Sequence, residues 1–209
     1  MKNALVEFFG TFFFVLVVGL TVVPPNVGPF APLAMGAALA SLVYAGGRFY
    51  NPAVTLALWI RGKYSVKDAV LFLVVQIVAG IVAALVVNYL RAGAFNPATT
   101  PIVRDSIKVL VTETLFTFLL VYIILQVATS SKNAGNSYYG IAIGLTVTAI
   151  SYAGAPVSGA DFNPAVAAGA AVTGLIAAAD VWLYIGANLV GGALAALVYR
   201  VINPDEFAE

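Results

Sequence analysis

The sequence predicts an all-α membrane protein with six transmembrane helices plus two re-entrant half-helices in an inverted repeat. Three observations predict it. Of 209 residues, 62% are hydrophobic and only 9% charged, with a mean hydropathy of +1.00, whereas soluble domains carry roughly 25% charged residues. The string Asn-Pro-Ala-Val occurs at 51–54 and again at 163–166, and the same offset links Gly62 to Gly174, Gln76 to Asn188, Gly80 to Gly192 and Ala84 to Ala196. An offset held over residues 51–84 marks a duplicated unit rather than a chance tetrapeptide. Third, each copy opens an apolar run, 53–60 or 165–173, closed by Gly62 or Gly174. Asn is a good N-cap, Pro suits the first helical position, and Gly stops a helix. A helix of about ten residues is about 15 Å long, half the ~30 Å hydrocarbon core of a bilayer.

The composition also excludes. A net charge of +1 argues against nucleic acid as a partner. With no Cys and no His, thiolate chemistry, imidazole acid–base catalysis and most zinc sites are ruled out. No catalytic residue, metal or cofactor is expected, and the protein reads as a non-enzyme.

The elements follow in order. Residues 4–23 form an apolar stretch interrupted only by Glu7 and closed by Pro24-Pro25. This reads as a first span rather than a cleaved signal, because residues 1–10 contain Glu7 and lack a small-residue cleavage site. The second span covers 30–45, followed by a loop and the first half-helix. The cluster Arg61, Lys63 and Lys67 reads as a solvated, topology-setting loop, with anionic lipid headgroups as the alternative role. The third span covers 69–90 and completes a first repeat, 1–92. In the loop 93–105, a third copy of the motif, Asn96-Pro97-Ala98, precedes Thr99-Thr100-Pro101 and no apolar run, so it reads as a turn. The second repeat, 106–203, holds spans at 107–129, 138–153 and 181–202 around the second half-helix. The acidic tail 203–209 is expected to fray. Phe12, Phe13, Phe14, Phe116 and Phe118 are expected to face lipid or pack. Gly80, Gly140, Gly144 and Gly192 are expected to allow close helix crossing.

Six spans put both termini on one side. Lys2, Arg48, Arg61, Lys63, Lys67, Lys132 and Arg200 share that side, and Arg91, Arg104 and Lys108 face the other. The larger basic group marks the cytoplasmic side. Three spans per half invert the second repeat, and inverted repeats with broken helices place a site at the membrane midplane. The half-helix N-termini would meet there, and their positive dipole ends disfavour cations.

With both Asn-Pro-Ala copies in such a repeat, the chain resembles the aquaporin (major intrinsic protein) family over nearly its whole length. The string Asn51-Pro52-Ala53-Val54-Thr55 and the gapless stretch 144–163 carry the likeness as well. The resemblance implies a homotetramer in the cell membrane, with one narrow pore per subunit for water and small neutral solutes. It implies that Asn51 and Asn163, with Pro52, Ala53, Pro164 and Ala165, form the pore motifs and offer amide donors to molecules in single file. An Asn that only caps its half-helix is the alternative, and both roles are compatible, because a carboxamide has an acceptor and donors. Glu7 and Glu113 are implied to accept hydrogen bonds from the re-entrant loops, with a proton relay as the alternative. Gln76 and Asn188 read as similar internal polar supports.

The sequence departs from the family at the outer selectivity filter. Most members have an arginine three residues after the second motif's Asn, where this chain has Val166. The other filter positions map to Ala160, to Ser151 where water-selective members usually have His, and to Met35. Phe49 stands where His is common in the loop before the first motif. The expected filter is wide, apolar and less cationic, lined on one wall by backbone carbonyls of residues 156–162. Asp161 reads as a cap for the second half-helix or an acceptor for loop amides, with attraction of cations as the alternative. A hypothesis resting only on loop position has Arg104 fold over the pore and replace the missing charge. The function this implies is a passive channel for water or small uncharged solutes such as glycerol, urea or ammonia. The alternatives are an ion- or proton-leaky channel and a non-conducting structural protein of the same fold. A coupled transporter is disfavoured, since no Asp, Glu or His pair sits at the midplane.

Overall fold

The computed structural model describes residues 1–92 and 104–207; the Asn96-Pro97-Ala98 copy lies outside them. Eight α-helices are described: α1 (Lys2–Val22), α2 (Ala31–Gly46), α3 (Pro52–Ile60), α4 (Val66–Leu90), α5 (Ser106–Thr129), α6 (Tyr139–Gly154), α7 (Pro164–Thr173) and α8 (Val181–Ile202). Five helical stretches, those containing α1, α2, α4, α5 and α8, are long and apolar enough to cross a membrane. The sixth, α6, has 16 residues, about 24 Å at ~1.5 Å per residue. The protein is therefore a multi-pass membrane protein.

Local chemistry sets the helix ends. The Ser65 hydroxyl accepts from the Asp68 amide at the start of α4, and the Asp105 carboxylate accepts from the amides of Ile107 and Lys108 at the start of α5. Each half-helix starts at its motif asparagine, whose Oδ1 accepts from the amide two residues on, at 2.9 Å in both copies. Gly174, at φ +79°, turns the chain after α7, a left-handed geometry that favours glycine.

The packing repeats with the sequence. In the first repeat α1 lies along α4, and in the second α5 lies along α8, while α2 and α6 pack against each other across the repeats. The half-helices exchange partners: α3 docks on α8 and α7 docks on α4. Gly80 and Gly192 make this docking possible. A Cβ on Gly80 would run into the Ala165 carbonyl oxygen, and one on Gly192 would come within 2.6 Å of that of Ala53. In lipid, helix association depends on close packing rather than on expulsion of water, so small residues at these crossings matter more than apolar bulk. Gly36 and Gly144 play the same part between α2 and α6, each backed by the other's carbonyl oxygen.

Two surface expectations are corrected. Arg61 does not belong to a solvated loop. It is buried, donates to the Thr129 carbonyl at 2.7 Å and pairs with Glu206 at 2.9 Å, with its guanidinium over the Tyr199 ring. Lys63 and Lys67 are exposed as expected. The tail from Asn203 to Phe207 is also not frayed. Residues Pro204–Phe207 form a 3-10 turn, and Glu206 accepts from Arg61, Ser130 and both the amide and the hydroxyl of Ser131. The reason is shared: a guanidinium in an apolar wall needs a counter-charge, and the tail supplies it.

Candidate pore and outer collar

The two repeats meet where α3 and α7 begin. Asn51 Nδ2 donates to the Phe162 carbonyl at 3.0 Å, and Asn163 Nδ2 donates to the Tyr50 carbonyl, also at 3.0 Å. Each asparagine thus caps its own half-helix with its oxygen and binds the opposite repeat with one N–H. A carboxamide has two such hydrogens, so one remains on each nitrogen. Both side chains line a narrow cavity of about 20 Å³, room for about one water molecule. Its other walls include Phe14, Leu39, Phe49, Leu120, Ile124 and Val147. The cavity is mainly apolar, with Asn51, Asn163, Ser151 and Asp161 as its polar lining.

The residues before each motif asparagine, Tyr50 and Phe162, form a pair that the sequence reading missed. Both take left-handed backbone conformations, φ 55° and 44°, at a cost of order 1–3 kcal/mol each for a non-glycine residue. The geometry turns each carbonyl toward the opposite asparagine and each amide toward a buried carboxylate. Tyr50 N donates to Glu7 Oε2 at 3.1 Å, and Phe162 N donates to Glu113 Oε2 at 2.8 Å. The legible signal was an aromatic residue before the Asn in both copies.

Glu7 and Glu113 are buried against the two re-entrant loops. Glu113 additionally receives the Ser158 hydroxyl and the Asp161 amide on Oε1. Gln76 donates to Glu7 at 2.8 Å and shares hydrogen bonds with Thr55. Asn188 is not its equal: its oxygen accepts from Thr117 at 2.6 Å, it does not reach Glu113, and its buried Nδ2 has no partner among the described residues. Ser158 takes the place that Gln76 holds in the first repeat.

Above the asparagine pair the tube opens into an outer chamber of about 240 Å³, space for several water molecules. Met35, Ala160 and Val166 line both cavities and so form a collar between them, together with Val18 and Asp161. Ser151 lines the inner side. The four residues mapped to the filter are therefore brought together, and Val18 and Asp161 join them. Ala160 holds φ +67°, which turns the loop at the collar. Asp161 is not the half-helix cap, since Asn163 is. Among the described residues no donor reaches its carboxylate, and only its amide is bonded, to Glu113. Arg104 stands in the wall of the outer chamber with Asp161, Gly159 and Val166.

Six spans, two crossed half-helices and a cavity at the junction of the two repeats define a membrane channel of the inverted-repeat type. The sequence profile described as "Major intrinsic protein" matches residues 1–199. A relative called "Glycerol uptake facilitator protein-like 6", from Lactiplantibacillus plantarum, is 33% identical over 218 residues, covering 99% of this chain and all of its own. "Aquaporin NIP1-4" of Oryza sativa subsp. japonica is 34% identical over 214 residues, covering 97% of this chain and 77% of its own. The aquaglyceroporin structure from Plasmodium falciparum superposes with a TM-score of 0.80 at 18% identity, over 99% of this chain and 98% of that one. The chain belongs to the major intrinsic protein family, whose members are channels and not enzymes.

Proposed function

We propose that the protein is a passive channel for water and small uncharged solutes of glycerol size and below, with Asn51 and Asn163 as the donors at its narrowest level. The reading rests on one observation above the rest: each motif asparagine spends its oxygen and one hydrogen on the fold, which leaves one donor for the cavity. A molecule held by two such donors accepts from both, and its own hydrogens point away along the tube. That orientation interrupts proton transfer along a water file. The two half-helix N-termini add positive potential at the same level, which disfavours cations.

The solute range belongs to the collar. Met35, Ala160 and Val166 contribute no side-chain donors, and Ser151 contributes a hydroxyl. Such a collar tolerates the carbon face of a polyol, and the relatives named for glycerol uptake and for aquaporins frame that range. We further propose that the functional unit is a homotetramer in the cell membrane, surrounded by lipid, with both termini cytoplasmic. The distribution of basic side chains supports that orientation.

Stopped-flow light scattering of proteoliposomes mixed with hyperosmotic glycerol tests the function. The initial shrinkage reads water flux and the re-swelling reads glycerol entry. Fast shrinkage followed by fast re-swelling is expected. Fast shrinkage without accelerated re-swelling restricts the channel to water. Rates equal to those of empty liposomes in both phases reject the channel.

A further inference from the structure

The position that would hold a filter arginine is Val166, yet the collar is not without charge. Arg104 and Asp161 both line the outer chamber, and Asp161 reaches the collar itself. The guanidinium of Arg104 packs against Gly159, at φ +103°: a Cβ there would stand 3.0 Å from Nη2 and 3.1 Å from Cζ. Glycine is thus required at 159 twice over, for its backbone and for the arginine beside it. Arg104 also lies within electrostatic reach of Tyr184 and Asp161, and Tyr184 donates to the Ser158 carbonyl at 2.9 Å. The next residue, Asp105, caps α5, which anchors the backbone from which Arg104 extends.

We infer that Arg104 and Asp161 together act as the charged selectivity element of this channel: Arg104 supplies the cationic donor group that position 166 lacks, and Asp161 balances it at the collar. The inference deepens the channel reading and rests on it. The guanidinium reaches the pore mouth from the segment before α5 instead of from α7. Val166 then leaves space at the collar while Arg104 keeps positive potential just outside it. An uncharged solute with hydroxyl or carbonyl oxygens meets donors in the chamber before it enters the apolar collar. A cation meets Arg104 first. Asp161 on its own, without that neighbour, would draw cations to the collar.

The test uses reconstituted full-length protein and four variants: Arg104→Gln, Arg104→Lys, Asp161→Asn and the double Arg104→Gln/Asp161→Asn. Water and glycerol fluxes are read by light scattering, and potassium and nitrate permeability by a voltage-sensitive dye. Arg104→Gln is expected to raise potassium permeability about tenfold, the order expected for removing one unit charge from the wall of a low-dielectric chamber. It should also change the glycerol-to-water ratio. Arg104→Lys should keep potassium excluded. Asp161→Asn, which leaves Arg104 unbalanced, should raise nitrate and not potassium permeability, and the double variant should return both toward wild type. Wild-type ion permeability and an unchanged solute ratio in Arg104→Gln would overturn the inference while leaving the channel intact. If Arg104→Gln does not reconstitute, unchanged nitrate exclusion in Asp161→Asn overturns it. A wild-type protein no more permeable than bare liposomes overturns the channel reading, and this inference with it.

Discussion

Glu206 ties the tail to the bundle, and its chemistry makes that tie depend on pH. Hydrogen bonds from Ser131, and next from Arg61, hold its carboxyl down to about 2 from an ordinary 4.5. A folded-state value below the unfolded one gives stabilisation that is complete above about 4.5 and is lost as pH falls toward 2. The thermal midpoint of the detergent-solubilised protein should therefore fall across that window by more in wild type than in Glu206→Ala. At neutral pH the variant should itself be less stable, by about 1–3 kcal/mol, the cost of losing hydrogen bonds to a charged group in a part-buried site. A variant with the wild-type midpoint and the wild-type pH slope would mean that the tail carries no weight. Arg61 retains Thr129 in that variant, which sets the lower end of the range. Tyr50 and Phe162 act on the same scale: two strained residues turn four backbone groups toward their partners.

The re-entrant loops show how an element with no lipid-compatible hydrogen bonding survives at membrane depth. Every exposed amide must find an acceptor inside the protein, and a carboxylate is the acceptor with the most capacity. Here the two repeats differ. Glu113 uses both oxygens, for Ser158 and Asp161 on one and Phe162 on the other. The bonds to Glu7 converge on Oε2, from Tyr50 and Gln76. Glu7→Gln can turn its one oxygen to both of these donors and meets only a weaker approach of the Phe49 amide, whereas Glu113→Gln must set an NH2 against the Asp161 or the Phe162 N–H. Glu113→Gln is thus expected to lose about 1–3 kcal/mol, the cost of an unsatisfied buried donor, and Glu7→Gln distinctly less. Thermal unfolding of the two proteins side by side checks the order; equal or reversed losses would refute this account of the loops.

For the molecule as a whole, the exchange of half-helices between repeats makes the pore a joint product of both halves. α7 rests on Gly80 and α3 on Gly192, so the two motif asparagines are registered by helices from the opposite repeat. The cavity narrows from a chamber of about 240 Å³ to a segment of about 20 Å³, and the collar between them is the selectivity filter we propose. Val166→Arg would place a long cationic side chain at that collar. Glycerol entry should fall severalfold relative to water in the same proteoliposomes. An unchanged ratio would remove position 166 from the filter.

Much of this was determined by the sequence alone. The 112-residue offset between the motif copies, the half-length apolar runs and the low charge were enough for six spans, two half-helices and the motif asparagines. Hydrophobic length and helix-capping chemistry are local, and local signals survive in one dimension. That Glu7 and Glu113 need partners was legible for a related reason, since a carboxylate in a span must have them; that the re-entrant loops would be those partners came from the family resemblance. Only the tertiary structure decided the rest. It broke the expected equivalence of Gln76 and Asn188, seated Arg61 and Glu206 together from positions far apart in the chain, and set Asp161 at the collar with Arg104 in the chamber beyond it. Each of these is a pairing of polar groups across long sequence separation. In an apolar medium such pairs are selected by where the backbone crossings bring them, and no periodicity in the chain records that.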